Sequence, residues 1–115
     1  MGAMTELGRE DTKLVTLARA TRARTGAAVG AALRDLDGRT YAGADVDLPS
    51  LQVSAVVVCI AMAISSGAKG AEAVVLVGAD MVSAPDLAAL NDFAGGDVPV
   101  YIGDAQGSII STTAS

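Results

Sequence analysis

Apolar and polar residues follow one another along this chain in several rhythms, and each rhythm predicts an element. Glu10, Asp11 and Thr12 open a segment in which Leu14, Val15, Leu17 and Ala18 give way to Arg19, Arg22 and Arg24, with Gly26 as the stop. Acids at the start and bases in the last turn complement a helix dipole, so a helix is expected over 10–24 with its apolar stripe on a sheet. Residues 27–36 carry Val29, Ala31 and Leu33 before the polar Arg34 and Asp35, and Asp37-Gly38 then leads into Arg39-Thr40-Tyr41-Ala42. Asp-Gly between two extended runs is a hairpin signal, which makes the first two strands antiparallel neighbours.

Residues 43–50 read as irregular. Leu51 to Ser66 is nearly all apolar and stops at Gly67, the pattern of a helix buried on most sides; its β-branched content would allow a strand, but its length argues against one. Ala73 to Val77 is a short continuous apolar run before Gly78, as in a central strand covered on both faces. Ser83 to Ala94 reads as a helix with Pro85 in its first turn and Gly95-Gly96 as terminator. Val98 to Ile102 follows as a strand in which Pro99 points to an edge position, and Ser108 to Thr112 as a final one. The order α-β-β-α-β-α-β-β gives one α/β domain over 4–115, a three-layer α/β/α sandwich around a mixed sheet of about five strands. Met1, Gly2 and Ala3 read as a cloning remnant ahead of a start at Met4.

Composition then removes whole classes of function. With 51% hydrophobic and 18% charged residues the chain lies far from the disordered regime. A net charge of −5 repels phosphate backbones, and rings make up only 3% of the chain, so nucleic acid is not an expected partner. The most apolar stretch, Val53 to Ile64, falls short of the ~20 residues a membrane-spanning helix needs, and no signal sequence is evident; membrane partners are not expected and the location is read as cytoplasmic. The single Cys59 rules out an internal disulfide, and with no histidine in the chain it reads as a small core residue. The glycines form no phosphate loop. Ala61, Met62, Ala63 and Met81 read as core or interface filler.

Beyond these rhythms, particular residues resemble the compact cytidine deaminases from the first helix to Gly107. Val29-Gly30-Ala31-Ala32 before Asp37-Gly38 is similar to that family's opening strand and hairpin, and Gly43-Ala44-Asp45-Val46-Asp47 stands where the family has Gly-Cys-Asn-x-Glu. The resemblance implies that Asp45 and Asp47 occupy ribose-binding positions. Leu51 to Gly67 resembles the helix that in the family starts with Cys-Ala-Glu, and here those residues are Ser54-Ala55-Val56. Leu90-Asn91-Asp92-Phe93 matches a Leu-x-Glu-Phe pattern, and counting back puts Ser83 and Asp86 at the family's two remaining cysteines.

In such deaminases zinc held by three thiolate or imidazole ligands activates a water, and the Glu moves the protons. Serine hydroxyls are neutral near pH 7 and ligate zinc poorly, and Val56 carries no proton. The resemblance therefore implies a catalytically inactive cytidine deaminase-like protein with no catalytic residue, metal or cofactor. Its expected role is a binding or assembly module that recognises a nucleoside-like small molecule. The alternative is an active hydrolase of the same type working from a non-standard site. Each residue also has a plainer reading: Asp45 and Asp47 as solvated turn acids, Ser54 as a packed helix residue, Ser83 as a helix cap, and Asp86 as an acid on the positive helix end. A homo-oligomer, dimer or tetramer, is expected, because 51–64 offers more apolar surface than a chain of this size easily covers.

Overall fold

In a computed structural model, which describes residues 7–115, the chain begins with α1 (Arg9–Thr25), β1 (Gly30–Asp35) and β2 (Thr40–Ala44). A small excursion follows, β3 (Val46–Leu48) and β4 (Leu51–Val53), and then α2 (Ala55–Ser65), β5 (Ala71–Val77), α3 (Ala84–Ala94), β6 (Pro99–Gly103) and β7 (Ile109–Ala114). Five strands form one sheet in the order β2-β1-β5-β6-β7, and within it only β5 and β6 run parallel. α1 covers one face, and α2 with α3 beside it covers the other. This is the α/β/α sandwich with a mixed sheet that the element order implies.

Side-chain alternation sorts each strand between two cores. In β5, Val74 and Leu76 join the core under α2 and α3, while Ala73, Val75 and Val77 join the one under α1. From Ala73 to Val77 both faces are dry, which is why that run is apolar without interruption, whereas Glu72 near the strand's start is exposed. In β1, Ala31 and Leu33 face α2, and Ala32 faces α1. α1 buries Leu14, Ala18 and Thr21 at helical spacing. It is also pinned through charge: Arg34 on β1 reaches Asp11 of α1 at 2.9 Å and Glu72 of β5 at 2.8 Å.

Four features differ from the sequence pattern. Leu51 to Ser66 is not one helix: Leu51–Val53 pairs antiparallel with Val46–Leu48, and the helix starts after Ser54. Both elements are apolar, so composition hides the change; the Ser54 side chain accepting from the Val57 N–H at 3.2 Å is what fixes the helix start. Residues 43–50 are correspondingly regular, closing β2 and forming β3. Pro99 lies on an interior strand, since β6 sits between β5 and β7, and it is tolerated there as the first residue of the strand. The β1–β2 connection spans 36–39, longer than the two residues Asp37-Gly38, because the Asp35 carboxylate holds it: Oδ1 accepts from the N–H of Asp37 at 2.8 Å and of Arg39 at 3.0 Å, and Oδ2 accepts from the Tyr41 hydroxyl at 2.9 Å. Residues 1–3, read as a cloning remnant, lie outside the described residues. Among the described residues no helix is long and apolar enough to cross a membrane.

Candidate functional site

Where β5 ends, the chain turns over the start of α3, and the start of α2 arrives beside it. Two helix N-termini and the end of a central strand thereby enclose a cavity of about 210 Å³. Asp45, Ser54, Val56, Ser83 and Asp86 all line it, with Val29, Leu76 and Val82 as apolar walls. Ligands commonly bind outside the carboxyl ends of strands where the connections diverge, and this cavity has that position.

Each polar group has a local reason for its orientation. Ser54 and Ser83 are the caps of α2 and α3: their hydroxyl oxygens accept from Val57 at 3.2 Å and from Asp86 at 3.3 Å. A hydroxyl that accepts in this way keeps its own proton to donate. Asp45 joins β2 to β3 and is clasped by the loop after α1, where its Oδ1 accepts from the Val29 N–H at 2.9 Å and its own N–H donates to the Val29 carbonyl at 3.2 Å. Asp86 sits in the first turn of α3, and Val56 is buried among the core residues of α2. Asp47 goes elsewhere. It lies on β3 opposite Gln52, exposed, and does not line the cavity. Only Asp45 of the two acids lines the cavity, because it is the hinge between two sheets while Asp47 belongs to the small one.

Met81 also borders the cavity, 72% exposed at its rim, where the sequence suggested core or interface filler. Val29, Ala79 and Met81 carry no chemical signature; only their place beside strand ends brings them to the site. Cys59, one turn beyond Val56, is fully buried, and burial pushes its thiol up to about 12.

The side chains at the positions matched to zinc ligands do meet in one place. As a donor set they do not fit the metal: two neutral hydroxyls already engaged as caps and one carboxylate supply a single anionic ligand, where zinc takes several deprotonated N or S donors. Among the described residues no group of three or more His, Cys, Asp or Glu side chains is placed to hold a metal ion. What the cavity offers is an apolar volume with two hydroxyl donors and two carboxylate acceptors at its edge.

A sandwich of this order, with paired helix N-termini meeting at the end of a parallel strand, defines a deaminase-type α/β architecture. The cytidine deaminase from Burkholderia pseudomallei superposes with a TM-score of 0.81 at 21% identity, covering 94% of this chain and 93% of that one. The enzyme from Mycobacterium leprae gives 0.73 at 22% identity with 94% of each chain covered, and that from Mycobacterium tuberculosis 0.67 at 25% with 79% and 81%. No match is found among curated proteins. The sequence model of the family described as cytidine deaminase-like matches residues 7–107, and the chain belongs to that family.

Proposed function

We propose that this protein is a catalytically inactive cytidine deaminase-like protein that binds a small nucleoside-like molecule in the cavity and acts as a binding or assembly module. The observation that carries this reading is the state of the cavity itself. A cavity lies beside the residues that the resemblance matches to the family's catalytic positions, and of these Ser54 and Ser83 are engaged as helix caps and Val56 is a buried apolar side chain. Binding needs shape and hydrogen bonds, both of which are present; hydrolytic deamination needs an activated water and a proton shuttle. The hydroxyls of Ser54 and Ser83 suit carbonyl or ring-nitrogen acceptors, and the free lone pairs of Asp45 and Asp86 suit amino or hydroxyl donors.

Its assembly role rests on α2, an eleven-residue helix, AVVVCIAMAIS, without a charged side chain. Val57, Ala61 and Ile64 recur at helical spacing away from the buried Val56, Cys59, Ile60 and Ala63, and Ile64 is 55% exposed. A second copy of the chain covering this stripe is the proposed occupant, in a dimer or tetramer. A cytoplasmic location is part of the same proposal, supported by the lone unpaired cysteine.

Elemental analysis of the purified protein, an ultraviolet assay with cytidine and deoxycytidine, and ligand-observed NMR against a nucleoside panel test the proposal together. The expected result is no stoichiometric zinc, no turnover, and weak nucleoside binding that Asp45→Ala reduces. One zinc per chain with measurable deamination would overturn inactivity and favour the hydrolase alternative. Absence of binding across the panel at millimolar concentration would overturn the ligand.

A further inference from the structure

On the opposite face of the sheet from this cavity, α1 carries a second concavity of about 340 Å³, lined by Thr16, Arg19, Ala20, Arg22, Ala23 and Ala105. It opens where the parallel strands β5 and β6 end, their exits tied by the Gly78 N–H donating to the Gly103 carbonyl at 3.0 Å. The small side chains of Ala20 and Ala23 leave room between two guanidinium groups three residues apart. That spacing places both on one side of the helix.

These two arginines differ from an ordinary solvated helix face in how they are held. The stem of Arg22 leaves α1 directly over Gly30, where an added Cβ would lie 2.8 Å from the Arg22 Cβ. Its Nε then donates to the Ala28 carbonyl at 2.8 Å, over Gly78, where a Cβ would lie 2.8 Å from that same Nε. Arg19 lies across Gly107, whose Cβ, if present, would fall 2.5 Å from Arg19 Cδ and 3.3 Å from Nε. Glycine at three points of the sheet and its loops thus gives the stems their beds. A guanidinium fixed through Nε keeps its terminal N–H groups for a planar, two-toothed contact with an oxyanion.

Charge points the same way. Among the described residues the ion pairs join Lys13 to Glu10 and Arg34 to Asp11 and Glu72, and neither Arg19 nor Arg22 forms one with a carboxylate of these residues. In a chain of net charge −5, an unneutralised pair of guanidiniums in one groove is a local exception. The long-range field repels polyanions, so the groove suits a compact anion in place of a nucleic acid strand. We propose that it is a binding site for a small multivalent oxyanion, of the phosphoryl or polycarboxylate type, held between Arg19 and Arg22. Thr16 lines the rim, but its hydroxyl proton goes to the Thr12 carbonyl at 3.2 Å, so the guanidiniums carry the contact. The groove shares no lining residue with the cavity at α2 and α3.

Amide NMR of the whole protein at low salt, titrated separately with pyrophosphate and citrate, is the test. Saturable shifts are expected at Thr16, Ala20, Ala23 and Ala105, in at least one of the two titrations. The stronger binder tells phosphoryl from carboxylate. Arg19→Gln, which removes no hydrogen bond among the described residues, should weaken binding about tenfold at an unchanged melting temperature. Arg22→Lys keeps the charge but loses the fixed fork and should weaken it comparably, whereas Arg24→Gln on the same helix, outside the groove, should leave affinity within a factor of about two. No saturable shift with either anion overturns the proposal. So does an equal loss in Arg24→Gln, which would reduce the effect to general surface charge.

Discussion

Cys59 shows how burial alone decides reactivity. The thiolate is the reactive species, and desolvation pushes this thiol from its ordinary 9.0 up to about 12, only slightly opposed by a hydrogen bond from the Gly43 backbone. A raised folded value means the fold favours the protonated form. Stability is therefore unaffected below about pH 9 and falls as pH rises from there toward 12. Ellman's reagent at about pH 8 should find no thiol in the native protein and one per chain after denaturation; rapid native labelling would contradict the burial. Asp35 works in the opposite sense. Burial would raise its carboxyl, but the Tyr41 hydroxyl and the N–H groups of Arg39 and Asp37 outweigh this and hold it below its ordinary 3.8. Its stabilisation is thus present above that value and lost as pH falls through the depressed one. Asp35→Asn should melt earlier than the parent at neutral pH, with the gap closing in acid; a pH-independent gap would assign the effect to packing. Val56→Glu places a carboxyl group at a position that is 1% exposed, beside a cavity with no Lys or Arg among its lining residues. It should cost roughly 2 kcal/mol at neutral pH in a denaturant titration, without restoring deamination.

Among the elements, the two capping serines hold the helix starts that border the cavity. Ser83→Ala and Ser54→Ala remove the acceptors for the Asp86 and Val57 N–H groups, and each should lower stability by about 1 kcal/mol. Urea midpoints measure this directly, and an unchanged midpoint would mean that water replaces the hydroxyl fully. That Ser83 caps a helix was readable in advance, because Ser followed by Pro85 and Asp86 is a helix-start signature on its own. Ser54 was not readable in that way. It interrupts an apolar run that continues on both sides, and Leu51–Val53 are strand residues only because Val46–Leu48 pairs with them. Local propensity does not include the partner strand.

At the scale of the whole molecule, the uncharged outer stripe of α2 predicts self-association. Light scattering should give a multiple of 11.4 kDa, and Ile64→Asp, at a position 55% exposed in the single chain, should shift the protein to monomer with little change in its far-ultraviolet circular dichroism. A monomer in the parent would leave that stripe to another partner. The sequence by itself determined the three helices and the five strands of the main sheet, though not the small β3–β4 pair, because burial leaves its mark on the apolar pattern of each of those segments. It also marked Asp45, Ser54, Val56, Ser83 and Asp86 through resemblance to a family. Tertiary structure alone decided that these five face one cavity while Asp47 leaves it, that Pro99 starts an interior strand, and that Gly30, Gly78 and Gly107 bed two arginines. Each of those facts depends on contacts between residues far apart in the chain, and distance in sequence carries no signal of which strand, helix end or loop will arrive alongside.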